Sequence, residues 1–239
     1  MKIRNIYLKN GIPFVSLTFL ILCIAVTLTA ALVPATTESL MFSYPIRNPW
    51  QFITYVFHHY TPQYQLPPEL PYSSAKLTIG HFVYNMMLII PFGILVENVI
   101  KTKKFLILLF SAWLLDVSAI FIMMAVLTPK GESSTGKGAS GLAFALMPVG
   151  VYILFVMGKK YGFGKLFKQI SFYLLMPIAI LTLIIALSPN IKGVAGIPSM
   201  ILHLVAVIVG VIFAIVFRKT INSFFEKESE IPNQNKERY

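Results

Sequence analysis

Residues 138–146, with the sequence GASGLAFAL, begin a charge-free stretch that is long enough to cross a lipid bilayer as a helix. The start of this stretch is unusual for a membrane helix. Gly138 and Gly141 flank Ser140, and the polar sequence TPKGESSTGK, residues 128–137, comes directly before them. The glycines leave space beside the serine and allow backbone angles that other residues avoid. The sequence therefore places an accessible hydroxyl group where a membrane helix begins.

The composition of the whole chain is that of a membrane protein. Of its 239 residues, 56% are apolar and only 12% are charged, and the mean hydropathy is +0.75, far above that of soluble domains. Backbone groups in lipid must be satisfied within the segment, which favours helices, and the apolar segments lack the alternation of barrel strands. We therefore predict an all-α membrane protein with a bundle of six transmembrane helices. The predicted spans are 12–33, 79–100, 105–127, 139–157, 170–187 and 199–217.

The parts outside the spans differ in character. Residues 1–218 form the predicted bundle, and residues 219–239 form a cytoplasmic tail that we expect to be solvated and frayed. The first connection, 34–78, is long, and its aromatic-rich half with few charges is typical of a segment at the membrane interface. A proline-rich insertion follows within 60–78.

The net charge of +11 could indicate a nucleic-acid partner, but its distribution argues against one. With the N-terminus inside, fifteen of the twenty Lys and Arg residues fall on the inner side of the predicted spans. This asymmetry is the signal that orients membrane proteins, and it predicts that both termini are cytoplasmic. The expected partner of these charges is the lipid bilayer. Because no transit peptide is evident, the expected location is a prokaryotic cytoplasmic membrane.

Polar side chains within the spans are costly to insert and are therefore candidates for function. Spans two, four and six run in the same direction, so groups near their starts share a similar depth in the outer half of the membrane. The spans contain His81, Asn85, Glu97, Asp116, Ser140 and His203.

A serine and a histidine at one depth suggest a nucleophile and its base. Ser140 begins a helix, where its backbone N–H is unpaired and points toward developing negative charge. His81 and Asn85 are four residues apart on one helix face and could donate to the same oxyanion. The alternative is packing: small residues such as Ala206 and Gly210, four apart, normally indicate close helix contact.

These residues resemble the rhomboid family of intramembrane serine proteases. Ser140 within GASG matches the GxSG motif of the family, His203 in HLVAVIVG matches its catalytic histidine, and HFVYN from His81 to Asn85 matches its HxxxN. GILVE, with Gly93 and Glu97, and WQFITYVFHH in the first connection extend the resemblance over roughly residues 12–218.

The resemblance implies a six-helix bundle that cleaves transmembrane protein substrates near the outer face of the membrane with a Ser–His dyad, without a metal or another cofactor. It makes Ser140 the nucleophile and His203 the base, and assigns the oxyanion to the Ser140 N–H with His81 and Asn85. Phe144 matches an aromatic residue that stacks on the catalytic histidine. Gly138, Gly141, Ala206, Gly210 and Glu97 would support the site.

Three departures from the family pattern stand out. Gln51 follows Trp50 where the family usually has arginine, and the interval from His59 to His81 is longer than usual. Ala206 replaces a glycine that is common one turn after the histidine, which allows slightly looser helix packing. No departure removes a catalytic group.

Other protease mechanisms and other functions agree less well with the sequence. An aspartyl protease needs two aspartates, and Asp116 is the only one in the chain; the zinc motif HExxH is also absent. Asp116 as a third catalytic acid and His58 with His59 as a metal site remain weaker alternatives. A non-catalytic rhomboid-like protein that binds membrane clients would be expected to lose the serine or the histidine. A transporter would need polar residues through both leaflets.

Overall fold

A computed structural model describes residues 11–66, 73–167, 176–182, 184 and 197–227. The helices with defined ends are α1 (Phe14–Leu32), α2 (Thr37–Leu40), α3 (Gln51–Thr54), α4 (Ser74–Ile100), α5 (Thr102–Leu127), α6 (Ser140–Tyr161), α7 (Phe163–Phe167), α8 (Ile197–Val216) and α9 (Arg218–Lys227). Short 3-10 turns occur at Pro34–Thr36, Tyr55–Phe57 and Gln63–Gln65, and two strands, β1 (Phe42–Tyr44) and β2 (Ser134–Gly136), complete the described elements.

The protein is a predominantly helical, multi-pass membrane protein. Within the described residues, five helices are long and apolar enough to cross a membrane, namely α1, α4, α5, α6 and α8. Their ends agree with predicted spans one to four and six to within about five residues, because a run of apolar residues long enough for the hydrocarbon is a strong signal. The predicted fifth span, 170–187, lies largely outside the described residues; within it, 176–182 and 184 are helical.

Helix α6 is the centre of the bundle. Its apolar window is 72% buried, whereas the windows of the other four candidate spans are 22% to 44% buried. Glycines allow its neighbours to approach: a Cβ at Gly150 would lie 2.1 Å from the Phe92 ring of α4, and a Cβ at Gly210 of α8 would lie 2.3 Å from the carbonyl oxygen of Ala145. The helix that begins at Ser140 is therefore held on several sides.

The GILVE motif joins α1 to α4. A Cβ at Gly93 would lie 3.0 Å from Ser16 Oγ, so the glycine makes room for α1. One turn further on, the buried Glu97 carboxylate accepts hydrogen bonds from the backbone N–H groups of Val15 (3.0 Å) and Ser16 (2.9 Å) and from Ser16 Oγ (2.8 Å). A carboxylate at a helix N-terminus satisfies unpaired donors and is favoured by the helix dipole. Glu97 thus anchors the first turn of α1.

A small sheet departs from the purely helical prediction. Strands β1 and β2 pair antiparallel, with Phe42 opposite Gly136 and Tyr44 opposite Ser134. The pair joins the first connection to the segment that leads into Ser140. Strands of three residues carry no readable alternation, so their pairing had no signal in the sequence.

Gln51 anchors the first connection, in the position where the resemblance predicts arginine. The side chain is fully buried. Its oxygen accepts a hydrogen bond from Ser43 Oγ at 2.9 Å, and its nitrogen donates to the carbonyl of Glu38 at 2.8 Å. An uncharged amide therefore holds this loop together. Trp113 Nε1 of α5 donates to the carbonyl of Phe52 at 2.9 Å and fixes the loop to the bundle.

The described part of the proline-rich insertion is tied to the start of α4. Thr61 N–H donates to Thr78 Oγ1 at 2.9 Å, Ser74 N–H donates to Gln63 Oε1 at 3.1 Å, and Ser74 Oγ donates to the carbonyl of Thr61. The middle of the insertion, 67–72, lies outside the described residues.

The chain after α8 continues as a packed helix. Ile221 and Phe225 of α9 are buried against the bundle, and Lys104 Nζ donates to Thr220 Oγ1. The expectation of a solvated, frayed tail is therefore wrong for residues 219–227, because the i, i+4 spacing of Ile221 and Phe225 gives the helix an apolar face. Residues 228–239 lie outside the described residues.

Candidate active site

Ser140 is the first residue of α6, and the backbone before it is fixed from two sides. Gly138 has φ +100°, a left-handed conformation that side chains rarely adopt. Its N–H donates to the carbonyl of Tyr55 at 2.8 Å. A Cβ at Gly138 would lie 2.5 Å from His81 Cε1, so the imidazole of α4 lies directly against the glycine backbone. The absence of a side chain at 138 thus brings His81 next to the turn that presents Ser140.

His203 lies in the first half of α8, and its ring packs on Phe144 of α6. The two ring centroids are 4.2 Å apart and the planes are inclined by 33°. Phe144 is itself buried, one turn after Ser140, so the stacking directs the imidazole toward the start of α6. Nδ1 of His203 is buried and has no hydrogen-bond partner.

Ser140 and His203 line one cavity of about 400 Å³. Within the described residues, no hydrogen bond joins Ser140 to His203. The hydrogen bond between a nucleophile and its base often tightens only in the complex with substrate, so the shared cavity is the more informative observation.

The walls of this cavity differ in polarity. Helices α5 and α8 contribute apolar side chains such as Ile120, Met124 and Leu202, beside the polar Asp116 and Ser199. The segment from Thr128 to Gly138 also lines the cavity and contributes polar groups such as Glu132. The cavity can therefore offer an apolar surface to a side chain and a hydrated surface to the reacting groups.

His81 and Asn85 are near this site but do not line its cavity. His81 contacts Gly138 as described. Asn85 is 1% exposed, its Nδ2 donates to the carbonyl of His81 at 2.9 Å, and its Oδ1 has no partner. One of the two Asn85 protons is thus used within α4.

Asp116 is paired with Tyr55. The Tyr55 hydroxyl donates to Asp116 Oδ2 at 2.8 Å in a buried setting. A Cβ at Gly141 would lie 2.1 Å from Asp116 Oδ1, so Gly141 is the residue that lets this carboxylate approach α6. Within the described residues, no hydrogen bond joins Asp116 to His203, and the geometry does not support the alternative in which Asp116 orients the histidine. Tyr55 was missed from the sequence, where it lies within an aromatic run.

Three basic side chains, His58, His59 and Lys137, form a cluster next to His81. His58 and His59 are fully buried, and neither nitrogen of His58 has a partner. The rings of His59 and His81 are 5.1 Å apart. Lys137, which precedes Gly138, donates from Nζ to the carbonyl of Tyr60 at 2.7 Å. Lys137 therefore ties the loop before Ser140 to the first connection, a contact across 77 residues that left no signal in the sequence.

Burial keeps the two histidines of this cluster uncharged. It lowers the pKa of His58 to about 3, with the nearby charges of Lys137 and His59 acting in the same direction. Burial also lowers the pKa of His59 to about 4, although the hydrogen bond to the carbonyl of Phe57 opposes the shift. Burial also lowers the pKa of Lys137, to about 8. Within the described residues, no three metal-ligating side chains are arranged to hold a metal ion.

The remaining predicted residues support the helices instead of the cavity. Ala206 is buried on α8 one turn after His203. Gly210 lies against the backbone of α6, as described above. Glu97 lies at the far end of α4 and contacts α1, so it stabilises the bundle at a distance from Ser140.

The family model for the rhomboid domain matches residues 75–220 of the chain. This segment is more than half of the 239 residues and includes α4, α5, α6 and α8. The chain therefore belongs to the rhomboid family, whose members are membrane-embedded and are generally serine intramembrane proteases. No curated protein matches the chain.

Proposed function

We propose that the protein is an intramembrane serine endopeptidase that uses Ser140 and His203 as a dyad. One observation carries the proposal: both residues line a single cavity, and the His203 ring is stacked on Phe144 at 4.2 Å. Stacking restricts the rotamers of the imidazole, so less entropy is lost when it accepts a proton from the serine. Family membership agrees with this chemistry.

In the first step, His203 removes the proton from Ser140 Oγ while the oxygen attacks the carbonyl carbon of a peptide bond. The resulting oxyanion is stabilised by the Ser140 N–H, which is unpaired at the start of α6. The resemblance adds His81 and the second proton of Asn85 Nδ2 as further donors, which requires that substrate binding extends the cavity to them, because neither lines it. The tetrahedral intermediate collapses when His203 returns the proton to the leaving amine, which leaves an acyl-enzyme.

In the second step, water attacks the acyl-enzyme and His203 again acts as base and then as acid. The water reaches the cavity along its polar wall, the segment from Thr128 to Gly138. Oγ of Ser140 regains its proton and the carboxyl product leaves. The dyad works without a third acid, since Asp116 is held by Tyr55.

The substrates in this proposal are transmembrane segments of other proteins, cleaved near the outer face of the membrane. A helical peptide bond is shielded by its own hydrogen bonds, so the substrate must unwind before Ser140 can attack. Substrates with helix-breaking residues near the cleavage site are therefore favoured.

A serine-directed fluorophosphonate probe tests the proposal in detergent-solubilised protein. Wild type is expected to be labelled, Ser140→Ala to be unlabelled, and His203→Ala to be labelled far more slowly, because the base activates the hydroxyl. Ser133→Ala, which changes another serine of the same cavity, is the matched control and should label like wild type. Labelling that persists in Ser140→Ala would remove the nucleophile, and an unlabelled wild type would favour a non-catalytic client-binding protein.

A further inference from the structure

A second cavity, separate from that of Ser140, forms a groove between α1 and α5, and Leu142 of α6 contributes to its wall. Its volume is about 680 Å³, and its walls include Val15, Leu22, Leu106 and Phe110. Among the described residues, none that lines it carries a charge. The volume is in the range of small-molecule sites, and the lining is suited to a hydrocarbon chain.

The length of the groove matches one leaflet of a bilayer. On α5 it runs from Thr102 to Trp113, a distance of eleven helical steps that rise about 16 Å. The hydrocarbon core is about 30 Å thick, so the groove covers about half of it. At the end away from Thr102 it is bounded by Ile53 and Phe57 of the first connection, which Trp113 holds through its hydrogen bond to Phe52.

The open end of the groove meets a polar pocket. This pocket has a volume of about 250 Å³ and is lined by Pro13, Asn98, Lys101 and Thr102, the last of which also lines the groove. Lys101 and Lys103 are exposed at this end, which the charge distribution of the sequence assigns to the cytoplasm.

One acidic group also faces this pocket. The Glu97 carboxylate lines it, but Val15, Ser16 and Thr102 donate hydrogen bonds to its oxygens. Its negative charge is thus directed at the first turn of α1. A ligand at the open end of the groove therefore meets the positive charge of Lys101 and Lys103.

We propose that this groove binds one anionic phospholipid of the inner leaflet. The phosphate-containing headgroup occupies the polar pocket beside Lys101 and Lys103, and one acyl chain lies along the apolar groove with its end at Trp113. Lysines near a membrane surface attract anionic lipid, and an apolar groove one leaflet long accepts the chain. The site is independent of the proposed proteolysis, because it shares no residue with the cavity of Ser140.

Trp113 provides a direct readout. The chain has two tryptophans, so Trp50→Phe leaves Trp113 as the only one. This variant is placed in phosphatidylcholine nanodiscs that contain a small fraction of phosphatidylglycerol brominated near the ends of its acyl chains. Bromine quenches tryptophan on contact, so we expect phosphatidylglycerol to quench Trp113 several-fold more than the same fraction of brominated phosphatidylcholine.

Two sets of variants test the binding of the headgroup and the binding of the acyl chain separately. Lys101→Gln and Lys103→Gln should each weaken the preference for phosphatidylglycerol about fivefold, whereas Lys165→Gln and Lys219→Gln, at exposed lysines outside the groove, should leave it unchanged. Leu106→Phe fills the groove and should reduce quenching. Ile107→Phe should not, because Ile107 is equally exposed, at 49%, but lies outside the groove.

Three results would overturn the proposal. Equal quenching by both lipids would show that the site has no headgroup preference. Quenching that Leu106→Phe leaves intact would place the acyl chain elsewhere. Absence of quenching by either lipid would show that another occupant, such as a second copy of the chain, covers the groove.

Discussion

At the scale of single residues, the site depends on positions where a side chain is excluded. Gly138 combines a left-handed backbone with direct contact to the His81 ring, and Gly141 admits Asp116 to the surface of α6. Both constraints occur within two residues of Ser140, so the turn that presents the hydroxyl has little freedom to relax.

Gly138→Ala is expected to reduce fluorophosphonate labelling about 10²-fold, the typical consequence of displacing catalytic groups by about 1 Å. The new methyl group would be placed 2.5 Å from His81 Cε1, in addition to the strain of φ +100°. Gly131→Ala is the matched control, since Gly131 also has a positive φ, of 84°, but nothing lies within 4 Å of a Cβ there. Equal loss in both variants would mean that backbone strain alone is responsible and that the His81 contact is unimportant.

Phe144→Leu tests the stacking of His203 while keeping a large apolar side chain. The turnover rate is expected to fall about threefold to tenfold, which corresponds to the usual worth of an aromatic pair. Measured with a transmembrane substrate, the loss should appear in kcat, because the ring positions the base. Phe92→Leu, at an equally buried ring that contacts Gly150 instead, should destabilise the fold without a specific loss in kcat. An unchanged kcat in Phe144→Leu would contradict the positioning role.

At the scale of elements, the helices were predictable and their connections were not. Long apolar runs in the sequence show which residues form α1, α4, α5, α6 and α8, because runs of this length match the thickness of the hydrocarbon core. The β1–β2 pair had no signal because three-residue strands show no period. The packed helix α9 was missed because its charged residues outweigh the apolar pair that faces the bundle.

The candidate site was also predictable only in part, through its helices and not through its loops. The sequence predicts that Ser140 and His203 meet, because two parallel helices bring their starting residues to one depth, and the structure places both at one cavity. It does not predict that Asp116 pairs with Tyr55, because that contact spans 61 residues and depends on how the first connection folds. Contacts made by loops follow from tertiary packing and leave no local pattern.

Glu97→Gln tests how α1 is held. The neutral amide loses charge-assisted hydrogen bonds and turns an N–H toward the N–H groups of Val15 and Ser16, so the free energy of unfolding should fall by about 2–3 kcal/mol. Ser16→Ala removes only the side-chain donor and should cost about 1 kcal/mol. Thermal unfolding in detergent measures both. Similar values for the two variants would mean that the carboxylate does not cap α1.

At the scale of the whole molecule, the buried histidines link folding to pH. His58 and His59 belong to the first connection, the His59 N–H donates to Thr27 Oγ1 of α1, and Lys137 of the loop before Ser140 adds a positive charge nearby. In the folded protein their pKa values are about 3 and about 4, below the ordinary 6.5. As the pH falls below about 6.5, the unfolded chain binds protons that the folded chain cannot. The stability is therefore complete above this pH and is lost as the pH falls toward 4.

Unfolding measured between pH 7.5 and pH 4.5 is expected to show this loss, with each histidine contributing up to about 1.4 kcal/mol per pH unit. His58→Phe removes one titrating group and should flatten the curve by that amount, while the apolar ring replaces two unpartnered nitrogens and preserves stability at pH 7.5. Trp50→Phe changes no titratable group and should keep the wild-type slope. If His58→Phe also kept that slope, His58 would not titrate differently in the folded and the unfolded protein, which would contradict its lowered pKa.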